Sequence, residues 1–158
     1  MEDLSARTTA AENNRTAGAK KYAPALSAIG IAIILGLGIH ACVADQRKRE
    51  IKSAVSRMDA FTKDWNADLQ IASATSRIAL AGPVMKLRER EEQLAKAEVP
   101  ECLAKSKSEL MAHVRASIES FTSFMADQEY LSSFKTSEAV RHLESYAKSK
   151  AECEASLK

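Results

Sequence analysis

The stretch LMAHVRASIESFTSFMADQEY, residues 110–130, decides how this chain folds. Together with Leu103, its large apolar residues are Leu110, Met111, Val114, Ile118, Phe121, Phe124 and Met125. Steps of three, four and seven return to one face of a helix, so this is the best amphipathic segment of the sequence. It runs into MADQEYLSSFKTSE, where Asp127, Ser132, Ser133, Thr136 and Ser137 are all suited to capping a new helix. Val140, Leu143, Tyr146, Ala147 and Leu157 then mark a last helix. A turn near Asp127-Gln128 makes the pair a helical hairpin.

The hairpin implies a register. Positions 102 and 153 are symmetric about 127.5, and so are 113 and 142. A turn there brings Cys102 level with Cys153 and His113 level with His142. Cys and His are eleven residues apart in each helix. That is about 16 Å along the axis, too far for one metal to take all four. The expectation is a disulfide between Cys102 and Cys153, holding the open end of the hairpin in an oxidising compartment.

Upstream, Ile51, Val55, Met58, Phe61, Trp65, Leu69 and Ala72, then Ala79 and Leu80, form one stripe. Gly82-Pro83 is expected to break or kink this helix. The stripe resumes at Val84, Leu87 and Leu94 within the charged KLREREEQLAKAE, whose charges read as a solvated face. Pro100 in EVPEC opens the next helix, with Glu101 in its first turn. No Asn-Gly or Asp-Gly hairpin signal and no strictly alternating run is found. The fold class is therefore all-α: an N-terminal membrane-spanning or signal-anchor helix, then an antiparallel bundle of three to four amphipathic helices. Met, Phe and Ala are expected inside, Ser and Lys outside. Residues 1–21 read as a polar disordered tail, 22–44 as the membrane or signal segment, and 45–158 as the bundle.

The segment YAPALSAIGIAIILGLGIHACVA, residues 22–44, carries no charge. As a helix it is roughly 33 Å long, against a hydrocarbon core of about 30 Å. Its Leu, Ile and Val residues supply roughly −4 kcal/mol of insertion free energy. Two readings follow. In one it is a permanent single span. Ala28, Ala32 and Gly36, with His40 at the next step, then form a small-residue face suited to close helix association. In the other it is a cleaved signal. IHAC, residues 39–42, resembles the lipobox of bacterial lipoproteins, which implies lipidation at Cys42 and an outer-membrane lipoprotein. Basic residues flank the segment on both sides, at Lys20-Lys21 and at Arg47, Lys48 and Arg49. The expected location is the inner membrane, single-pass, with residues 45–158 outside the cytoplasm.

The chain has 158 residues, a net charge of +2 and 5% aromatics, and no basic face interleaved with aromatics, so nucleic acid is not an expected partner. The sequence holds no CxxC, HExxH, GxSxG or Gly-rich phosphate loop. No catalytic residue, cofactor site or metal site is assigned. The function expected is a non-enzymatic interaction or structural module of the envelope. Its partners are membrane lipids, a second copy or another envelope protein. A ligand-sensing bundle that works through a partner is the other reading. In layout alone, an N-terminal span followed by a helical exported region is similar to the membrane-anchored subunit of phage spanins. Trp65 and ATSRIALAGPV, residues 74–84, have no role that the pattern explains.

Cys42 separates the two anchoring schemes. A lipoprotein loses residues 1–41, and Cys42→Ser blocks processing and palmitate incorporation. A permanent span keeps its full intact mass, and the substitution changes nothing.

Overall fold

The computed structural model describes the backbone of residues 23–157 and the side chains of residues 45–157. Four helices follow one another: α1 (Ala23–Ser73), α2 (Ala81–Lys96), α3 (Ala104–Met125) and α4 (Glu129–Ala155). Single 3-10 turns at Arg77–Ala79 and Glu101–Leu103 precede α2 and α3. No strand occurs among the described residues. The described residues divide at Gln46–Arg47 into two units. The side chains of the 22–44 segment lie outside those described. Among the described residues no helix is long and apolar enough to cross a membrane.

Arg47–Lys158 is an antiparallel bundle. From α1, Ile51, Ala54, Val55, Met58, Trp65 and Ala72 are buried. Val84, Leu87 and Leu94 of α2 meet them, with Leu110, Val114 and Ile118 of α3 and Tyr146 and Cys153 of α4. The apolar stripes thus became the core, except at Ala79, Met125, Val140 and Ala147, which are exposed.

The first break falls earlier than Gly82-Pro83. α1 ends at Ser73, and Ser76 is extended at φ −64° and ψ 151°. The hydroxyls of Ser73 and Thr75 turn back onto the carbonyls of Leu69 and Ile71. Leu80, 1% exposed, plugs the core after the 3-10 turn. Pro83 is the third residue of α2, in the first turn where a missing N–H does no harm. The second break is where Pro100 stands, as the cap of the turn before α3.

The last turn is tight. Asp127 adopts φ 61°, a left-handed conformation that Asp tolerates better than most residues. The Gln128 N–H donates to the Ser123 carbonyl at 2.9 Å and the Asp127 N–H to Phe124 at 3.2 Å. This is a Schellman ending. α4 restarts so soon that Ser132, Ser133, Thr136 and Ser137 fall inside it rather than at its cap, which is Gln128. Thr136 and Ser137 donate instead to the carbonyls four residues back.

Polar contacts orient the helices. Asp68, 5% exposed, accepts from Lys86 at 2.6 Å and Arg90 at 2.8 Å, tying α1 to α2. Burial alone would raise the Asp68 carboxyl; the hydrogen bonds and charges of Lys86 and Arg90 outweigh it and hold the group below its ordinary range. Arg115 meets Glu91 at 2.8 Å between α3 and α2, so the charged run of α2 is not solely a solvated face. Lys107 closes the end of α2, donating to the carbonyls of Ala95 and Ala97. Against expectation, Ser106, Ser117, Ser120, Ser123 and Ser149 are buried. Their small size lets α3 and α4 pack closely.

Cys102 and Cys153 are joined in a disulfide with Cα atoms 5.5 Å apart, 51 residues apart in sequence. By loop-closure entropy, Cys102→Ser with Cys153→Ser lowers stability by about 4 kcal/mol. Asp68→Ala loses two charge-assisted bonds and lowers it by about 1–3 kcal/mol. Chemical denaturation of the purified chain measures both.

Candidate functional site

Trp65 is fully buried, the bulkiest side chain in the core. Its indole N–H donates across the bundle to His113 Nε2 at 3.1 Å. The rings meet edge to face, with centroids 6.1 Å apart. On its other side, His113 Nδ1 lies 2.9 Å from the Ala139 carbonyl of α4. A carbonyl only accepts, so Nδ1 carries the proton and Nε2 receives the Trp65 N–H. One neutral imidazole thus links α1, α3 and α4 with both nitrogens satisfied. Burial pushes His113 below its ordinary 6.5; the Ala139 carbonyl opposes this and the charge of His142 adds to it.

Beside this link, residues of α1, α3 and α4 line a groove of about 390 Å³. Leu69, Phe121, Phe124, Ala139 and Val140 supply its apolar lining. Its polar lining is His113 with the hydroxyls of Ser73, Ser117, Ser120, Ser132 and Thr136. Ser120 joins α3 to α4, since its hydroxyl lies 2.8 Å from that of Thr136 and 3.0 Å from the Ser132 carbonyl. The Arg77 guanidinium stacks 4.5 Å over the Phe124 ring, pairs with Asp127 and reaches Glu129 at 3.5 Å. The segment 74–84 therefore fastens the loop after α1 to the turn between α3 and α4.

The residues singled out by sequence are only partly brought together. Cys102 and Cys153 meet. His113 and His142 do not stand level: His113 faces Ala139, and His142 bonds Glu109 at 2.8 Å. The helices pair with residue sums near 252, three below the sum of the cysteine pair, so the two histidines are offset by about a turn. Cys42, Ala28, Ala32, Gly36 and His40 lie outside the described side chains. Among the described residues no three His, Cys, Asp or Glu side chains converge to hold a metal. The serines of the groove carried no signal in the sequence. Trp65 did, as the one tryptophan on the core stripe. Compared with protein families, curated proteins and solved structures, the chain matches none.

The His113 site makes stability depend on pH. Above about 6.5 the imidazole is neutral in both folded and unfolded chains, and this group adds no slope. Below it the unfolded chain takes the proton first, because the folded pKa is lower. Protonated Nε2 would also face the Trp65 N–H, donor against donor. Denaturation midpoints should therefore fall between pH 7.5 and 5.5, and His113→Gln should remove part of that slope.

Proposed function

We propose that this chain is a membrane-anchored helical module of the cell envelope that acts by binding another envelope protein, not by catalysis. The observation that carries the reading is where the apolar surface lies. Every exposed large apolar side chain among the described residues falls within 71–85 or 125–140: Ile71, Ile78 and Met85, then Met125, Tyr130, Leu131, Phe134 and Val140. These segments meet at one end of the bundle, where Arg77 bonds the turn between α3 and α4. Ile78 is 96% exposed and Tyr130 87%. Tyr130 and Phe134 are one helical turn apart on the outer face of α4. Single exposed apolar residues are ordinary, but their clustering toward the turn end, with Val140 nearer the middle of α4, is the mark of a contact surface. The disulfide supports an oxidising compartment, and the uncharged 22–44 segment supports an anchor.

A photoreactive side chain at position 130 should form one discrete adduct in intact cells, and the same group at exposed Lys148 should form none. Ile78→Ser with Phe134→Ser should abolish the adduct while leaving the melting temperature within a few degrees. Equal labelling from both positions would reject this surface.

A further inference from the structure

The groove beside His113 differs from its neighbours in charge. Its lining holds no charged side chain, whereas the groove on the other side of α3 is lined by Arg88, Glu91, Arg115, Glu119 and Lys135. Each of its hydroxyls also has an acceptor of the protein within reach. Ser73 donates to the Leu69 carbonyl at 2.9 Å and Ser117 to the His113 carbonyl at 2.8 Å. Ser120 and Thr136 each have the Ser132 carbonyl at 3.0 Å. The Ser132 hydroxyl has that of Ser120 at 3.1 Å. His113 spends its proton on Ala139, and its second nitrogen is filled by Trp65. What faces the groove is apolar carbon and hydroxyls whose protons already have an acceptor within the protein, which leaves lone pairs as the groups a ligand meets at least cost.

We infer that this groove binds a small uncharged molecule with an apolar ring or short alkyl body and one O–H or N–H donor, of the class of an aryl alcohol. The body covers Phe121, Phe124 and Leu69, and the donor meets the hydroxyl lone pairs between α3 and α4. An anion would lose hydration with no donor to replace it, and a cation would find no carboxylate. The volume stands near the lower end of the range of about 300–1,000 Å³ for ligand pockets, which suits one ring and not a lipid or a peptide. The site adjoins the contact surface proposed above and shares Val140 with it, while Ile78, Tyr130 and Phe134 are not in its lining.

Fluorine NMR of the full chain in detergent tests this with para-fluorobenzyl alcohol and para-fluorobenzoate as probes. The alcohol should broaden saturably and be displaced by benzyl alcohol. The benzoate, alike in size but anionic, should bind at least about tenfold more weakly. Val140→Trp and Ser73→Trp, both at exposed positions of the rim, should each remove the saturable component without changing the melting temperature. A response that is the same in the wild type and both variants is partition into detergent and overturns the site. Benzoate binding as tight as that of the alcohol overturns the ligand class, and that comparison needs no variant.

Discussion

The register of α3 against α4 is the constraint on which the bundle depends. It is held at both ends. At one end Asp127 takes a left-handed conformation and the Ser123 and Phe124 carbonyls are satisfied within two residues, so the chain reverses at a defined place. At the other end Cys102 and Cys153 are bonded. Between these points Ala139 stands opposite His113, and Ser132 and Thr136 stand opposite Ser120. Moving the turn by one residue on one strand would shift every one of these partners out of hydrogen-bond range, because such bonds tolerate only a few tenths of an ångström.

α1 and α2 are fixed to this hairpin by directional contacts as well as by apolar burial. Burial of an apolar stripe sets the rotation of a helix coarsely; a hydrogen bond fixes it to a few tenths of an ångström. Trp65 on His113 sets α1 against α3, and Asp68 beneath Lys86 and Arg90 sets α2 against α1. Arg77 does the same for the connecting loop. Each removes alternative packings that would bury similar apolar area, and the first two depend on buried polar groups, of Trp65, His113 and Asp68, that would destabilise the core if left without a partner.

Surface chemistry is unevenly distributed as a result. The disulfide end has its apolar residues inside, with Ile51 3% and Leu103 0% exposed. Toward the turn end apolar side chains reach solvent. The groove there is lined by small hydroxyl residues, Ser117, Ser120, Ser132 and Thr136, which satisfy their hydroxyls within the protein without filling it. A four-helix frame with a disulfide at one end and exposed apolar side chains toward the other accommodates the groove and the proposed contact surface without a positive φ inside any described helix.

Periodicity and breaking residues determined the all-helical class, the stripes of α1 to α3, the break at Pro100 and the turn at Asp127-Gln128. These depend on local physics: apolar spacing, a proline that cannot continue a helix, and a residue that tolerates a left-handed turn. The end of α1 is not legible locally: Gly82-Pro83 is a strong breaking signal, yet proline is harmless in a first turn, and the position of Leu80 in the core decides where the chain bends. The cap of α4 and the level of His142 differ from the sequence expectation because both turn on a shift of a few residues that only the close packing of two helices sets. The burial of five serines was invisible for a related reason. Ser117 satisfies its hydroxyl on a carbonyl four residues back, as it would in any exposed helix, so its sequence context is the same whether it faces water or a neighbour. Which face of a helix meets another, and whether His113 receives the indole of a residue 48 positions away, is fixed only when the helices pack.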